Sequence, residues 1–96
     1  MPAYLIANIE VTDTIGFETY RQRVPAVVAQ YGGRYVIRGN PPTQMEGKPF
    51  FTRLTVLEFA SMEALQRFYH SAEYAPLLAI RTASTKSDLV FMPGMD

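Results

Sequence analysis

Tyr31-Gly32-Gly33-Arg34-Tyr35-Val36-Ile37-Arg38-Gly39 is the stretch on which the fold turns. Its paired glycines can end a helix, because glycine enters left-handed backbone angles without a Cβ clash. Arg34 to Arg38 then alternates charged with aromatic or aliphatic residues, the period of a strand. Gly39, Asn40, Pro41 and Pro42 supply a turn that closes it. A helix, a sharp stop, a short strand and a long loop are therefore expected in quick succession. The alternation also puts Arg34 and Arg38 on one side of a sheet.

Upstream, Leu5, Ala7, Ile9 and Val11 alternate with Tyr4, Ile6, Asn8 and Glu10, which predicts a first strand over Tyr4–Val11 with the first set facing a core. Thr12, Asp13 and Thr14 offer a turn and a helix N-cap. Phe17, Tyr20, Val24, Val27, Val28 and Tyr31 recur at helical spacing, so a helix is expected from about Ile15 to Tyr31, bent near Pro25. Downstream, Asn40 to Pro49 reads as a long loop and Phe50 to Phe59 as the third strand. Ser61 and Glu63 open a second helix carrying Met62, Leu65, Phe68 and Tyr69. A break is expected near His70, then a shorter helix to about Ile80, a loop over Thr82–Ser87 and a last strand over Leu89–Met92.

The totals narrow the functional classes. The chain has 96 residues, 48% of them hydrophobic, which makes one domain, 1–96. At this size roughly 60–68% of the unfolded surface is buried, so the core is thin. Nine basic and nine acidic residues cancel, and without a basic run no nucleic-acid partner is expected. No apolar run approaches the roughly 20 residues of a membrane helix, and the amino terminus lacks the pattern of a secretion signal. There is no cysteine, which excludes disulfides and thiolate metal sites and fits a cytoplasmic location. His70 is the one histidine, so neither a multi-histidine metal site nor a cofactor is expected.

The order strand, helix, strand, strand, helix, strand, with right-handed crossovers, is an α+β, ferredoxin-like βαββαβ arrangement. Its four-stranded antiparallel sheet carries two helices on one face. Strand alternation would give the uncovered face Tyr4, Ile6, Val36, Leu54 and Val56, an apolar patch of the kind that marks an interaction site. A second copy of the chain is the expected partner, forming a dimeric α+β barrel. The same face would carry Asn8, Glu10, Arg38 and Glu58, which are costly to desolvate unless paired. Arg38 and Glu58 could form an ion pair across adjacent strands. Alternatively they form the polar end of a cavity against the partner, with Arg38 holding a carboxylate or enolate.

Three motifs in order, Tyr31 to Gly39, Val56-Leu57-Glu58-Phe59, and Phe68-Tyr69-His70-Ser71-Ala72-Glu73-Tyr74, resemble domain-of-unknown-function family 1330. The likeness covers nearly the whole chain. It implies the dimeric α+β barrel superfamily, whose members include cofactor-free monooxygenases, haem-degrading enzymes and small isomerases. The family carries no assigned activity, so the resemblance bears on the fold and not on the chemistry.

For the chemistry, Asn8, Arg38, Glu58, Tyr69 and His70 are the candidate substrate-binding residues, and no catalytic residue is assigned. His70 titrates nearest neutrality. It reads either as a general base or a haem ligand at a pocket rim or, more commonly for a lone histidine, as a surface or helix-capping residue. No phosphate loop is present, since Gly32-Gly33 follows a helix instead of opening one. The expected function is a homodimer that binds a small organic molecule between the sheet face and helices, with or without cofactor-free turnover. The alternative is a non-catalytic structural or interaction dimer.

Overall fold

A computed structural model describes residues 1–48 and 51–95. The elements are β1 (Ala3–Val11), α1 (Thr14–Gln30), β2 (Arg34–Asn40), β3 (Leu54–Phe59), α2 (Met62–Tyr69), α3 (Ala75–Ser84) and β4 (Thr85–Pro93). The strands form one antiparallel sheet in the order β2-β3-β1-β4. This is the ferredoxin-like fold that the element order implied. The second helical segment is divided at His70 into α2 and α3.

Local chemistry accounts for the element ends. Asp13 caps α1, its carboxylate accepting from the Gly16 amide at 3.1 Å, and Ser61 caps α2 by accepting from Ala64 at 3.1 Å. α1 stops where the Gly32 and Gly33 amides turn back onto the carbonyls of Ala29 and Val28, with Gly32 at φ 79°. Ser71 bridges the break after α2, donating to the Phe68 carbonyl and accepting from the Tyr74 amide.

Helix and sheet meet over Leu5, Leu57, Phe59, Leu65, Phe68 and Tyr74, all buried. The Phe68 ring lies 5.2 Å from Phe59 and 4.5 Å from Tyr74, centroid to centroid. This aromatic cluster supplies much of the apolar burial a thin core can offer.

Four sequence expectations change. The third strand begins at Leu54; Phe51–Arg53 are not strand, and the expected start at Phe50 lies outside the described residues. The third helix runs on to Ser84 and β4 starts at Thr85, so Thr82–Ser87 is not a loop. Its hydroxyls explain this: Thr82 donates to Leu78, Ser84 to Ile80 and Thr85 to Arg81, satisfying carbonyls of the last turns. The polar start of β4 then pairs with the polar end of β1, Lys86 opposite Glu10 and Asp88 opposite Asn8.

The other two changes concern Arg38. Along β2, Tyr35 pairs with Leu57, but Ile37 pairs with Val56, so Val36 and Ile37 together oppose one residue of β3. This β-bulge reverses the parity beyond it. Arg38 pairs with Thr55 and joins the helix-covered face instead of the open one. A second irregularity, at Gly39 with φ 71°, restores the parity so that Asn40 meets Leu54. Arg38 is therefore not the partner of Glu58. Glu58 accepts from Arg34 Nε at 2.6 Å and from the Tyr4 hydroxyl at 2.8 Å, both on the open face.

The open face is ordered in rows. Ile37, Val56, Ile6 and Val90 lie side by side across all four strands. Arg34, Glu58, Tyr4 and Met92 flank them on one side, and Asn40, Leu54, Asn8 and Asp88 on the other. Val36, Ile37, Val90 and Met92 are exposed.

Candidate functional site

On the opposite, helix-covered face, the row Arg38–Thr55–Ala7–Leu89 has small side chains at its centre. α1 passes above it and leaves a half-open cavity of about 210 Å³. Leu5, Ala7, Ile9 and Leu57 form its floor, and Phe17, Tyr20 and Val24 of α1 its roof. Arg38, Arg21 and Arg53 stand with Asn40 among the residues that line it. Tyr35, Tyr74 and Arg81 also contribute to its wall.

Pro25 is central to how Arg38 is held. α1 is continuous through Pro25, yet proline has no amide hydrogen to give the carbonyl four residues back. That carbonyl belongs to Arg21, and Arg38 Nη2 donates to it at 3.0 Å. The guanidinium carbon also sits 4.8 Å from the centroid of the Tyr35 ring. A residue that disturbs the helix ladder thus creates the acceptor that docks β2 against α1.

Deeper in, the Tyr20 and Tyr74 hydroxyls are 2.8 Å apart, and Arg81 Nε donates to the Tyr74 oxygen at 3.4 Å. Burial, with the Tyr74 oxygen second, pushes the Tyr20 phenol far above its ordinary range. Burial also raises Tyr35, although Arg38 opposes the shift. For Arg81, burial disfavours the charge, but the oxygens of Tyr74, Tyr20 and Tyr69 outweigh it and its pKa is raised. The wall therefore presents neutral phenols and a permanent cation at neutral pH.

The candidate residues do not converge. Arg38 lines the cavity. Asn8 lies on the open face and accepts from the Thr52 and Arg53 amides at 2.8 and 3.2 Å, which steadies the segment carrying Arg53. Glu58 lies on the open face with Tyr4 and Arg34. Tyr69 packs beside Tyr74 and Phe91, with centroids at 5.6 and 5.2 Å, and is not among the cavity residues. His70 is the exposed C-cap of α2, 3.1 Å from the Gln66 side chain. Among the described residues, no group of three or more His, Asp and Glu is placed to hold a metal ion.

Sequence reasoning passed over Tyr20, Tyr35, Tyr74 and Arg81. Gly39 inside a strand pattern was the available signal of the irregularity that redirects β2. For Arg81 the available signal was the run of Ser and Thr that extends α3 by bonding back to its own carbonyls.

The model of a domain of unknown function (DUF1330) matches residues 2–95. The chain belongs to that family. All three motifs that mark this DUF1330 chain feed the cavity, the first through Tyr35 and Arg38, the second through Leu57 and the third through Tyr74. None of the curated proteins matches it. Among solved structures it is similar to a protein of unknown function from Rhodopseudomonas palustris, with TM-score 0.80 at 15% identity, covering 99% of this chain and 83% of that one. It is similar to SnoaB, a cofactor-independent oxygenase from Streptomyces nogalater, with TM-score 0.68 at 14% identity over 99% and 94% of the two chains. A dimeric ferredoxin-like protein of unknown function from Jannaschia sp. CCS1 follows, with TM-score 0.67 at 13% identity over 98% and 100%. These likenesses share the fold.

Proposed function

We propose that this DUF1330 protein binds a small organic molecule in the cavity between α1 and the sheet, and that it does so as a homodimer joined through the open sheet face. The observation that carries the binding role is the 210 Å³ cavity itself, apolar in its body with converging arginine and tyrosine groups on its wall. A cavity of about 150 Å³ lined by aliphatic groups is enough to admit benzene, so a single-ring compound fits the available space. Arg38 is the sequence candidate that belongs to this pocket.

Binding is better supported than turnover. The chain's one histidine, His70, is at the C-cap of α2, outside the residues lining the cavity. The likeness to a cofactor-independent oxygenase supports turnover only for a substrate reactive enough to need no base of that kind. The dimer is supported by the row Ile37–Val56–Ile6–Val90 and by the dimeric state of the similar Jannaschia protein. An interface of roughly 800 Å² per subunit is ordinary for such a pair. The cysteine-free composition supports a cytoplasmic setting, and among the described residues no helix is long and apolar enough to cross a membrane.

Native mass spectrometry of protein purified from its own host tests both parts. Two chains with a retained small molecule are expected. One chain at micromolar concentration overturns the dimer, and Val90→Glu should then change nothing; if the dimer is real, that substitution splits it. Failure of the cavity to take up any single-ring probe overturns the binding role.

A further inference from the structure

Resting on that reading, we propose that the cavity selects an organic anion, a single-ring carboxylate, and that Arg81 receives its charged end. The formal charge of the whole chain is zero, yet four arginines and no acidic residue line the cavity. Arg21 is partly engaged, 3.6 Å from Glu18, and Arg38 is committed to the Arg21 carbonyl. Arg81 is different. It is 5% exposed, and its one hydrogen bond among the described residues is the long one from Nε to Tyr74. Among the described residues no carboxylate pairs with it and no protein acceptor meets its Nη groups. No fully enclosed side-chain nitrogen or oxygen among the described residues lacks a partner, so those Nη groups are not sealed off, and Arg81 is among the residues that line the cavity.

A buried cation without a counter-ion is unfavourable, and an arginine cannot relieve the cost by losing its proton. Here the arrangement is kept, with further donors beside it. Either hydroxyl of the Tyr20–Tyr74 pair can donate across the 2.8 Å contact between them, so one phenol proton of the pair is left for a ligand. Tyr35, whose hydroxyl has no partner among the described residues, also lines this space. A guanidinium edge with phenol groups beside it matches the two oxygens of a carboxylate, each able to accept more than one hydrogen bond. Leu5, Leu57 and Phe17 provide the apolar contact for the ring.

The test compares benzoate with benzamide, which share shape and differ in charge, by calorimetry and by amide chemical-shift mapping on the full chain. Benzoate is expected to bind at least about tenfold more tightly, the floor set by one hydrogen bond to a charged group, with shifts clustered at Tyr20, Tyr35 and Arg81. Arg81→Gln is expected to abolish the preference. Equal binding of the two probes inside the cavity overturns the anion proposal and leaves the pocket reading intact. Benzoate shifts confined to Arg34 on the open face overturn it as well. If neither probe nor neutral toluene enters, the pocket reading itself fails. Should Arg81→Gln not fold, the wild-type comparison and the shift map still decide.

Discussion

If Arg38 replaces the helix bond that Pro25 cannot make, Arg38→Ala and Pro25→Ala must be coupled. Arg38→Ala removes the 3.0 Å bond to the Arg21 carbonyl and the contact over Tyr35. A hydrogen bond from a charged donor contributes about 1.5–3 kcal/mol, but this carbonyl is exposed and water takes part of the role. Together with about 0.5–1 kcal/mol for an exposed cation–π contact, the expected loss is about 1–2 kcal/mol. Pro25→Ala supplies an amide hydrogen to the same carbonyl, stabilising the helix by up to about 3 kcal/mol, less the entropy that proline removes from the unfolded chain. In the Pro25→Ala background the carbonyl is already satisfied, so Arg38→Ala should cost only the ring contact. The coupling is then about 1 kcal/mol, above the roughly 0.3–0.5 kcal/mol scatter of additive pairs. Urea midpoints of the four proteins measure it, at one fixed concentration because the stability of the proposed dimer would depend on concentration. An Arg38→Ala cost that is the same in both backgrounds refutes the reasoning.

Two further outcomes are expected. The Tyr4 hydroxyl first, then Arg34, lowers the Glu58 carboxyl, and the Tyr31 hydroxyl first lowers that of Glu73. A carboxyl depressed in the folded state stabilises above its unfolded pKa, about 4.3, and loses that contribution as pH falls through the lower folded value. Stability should therefore decline below about pH 4.3, and less steeply in Glu58→Gln/Glu73→Gln; identical slopes of urea midpoint against pH would argue against both contacts. For the glycine pair, a Cβ on Gly33 would meet two Phe59 ring carbons at 2.5 Å and Val28 Cγ1 at 2.9 Å, whereas one on Gly32, at φ 79°, meets nothing within 4 Å. Gly33→Ala should cost about 1–3 kcal/mol by overpacking and Gly32→Ala about 1 kcal/mol by backbone strain, so thermal melts should rank Gly33→Ala lower. The reverse ranking would mean that the Phe59 ring yields.

Much of this was legible in the residues. Alternation over β1 assigned Leu5, Ala7 and Ile9 to the core, the spacing of Phe17, Tyr20, Val24 and Val28 defined α1, and Asp13 and Ser61 marked the helix starts. These signals are local, carried by side chains a few positions apart, and they add up to the ferredoxin-like order. The family was also legible, since its motifs are contiguous. The site was not. Parity along Arg34 to Arg38 holds only for a regular strand, and whether Val36 and Ile37 crowd into one position is settled by pairing with β3.

The one-dimensional pattern thus determined the elements, their order and the half-covered sheet, because each depends on periodicity within a short window. Which arginine faces the helices, what fills the carbonyl that Pro25 leaves bare, and where Arg81 is buried were decided only in three dimensions. Each of those depends on two segments far apart in the chain meeting at one register. A single extra residue in β2 is enough to send a charge to the other side of the sheet.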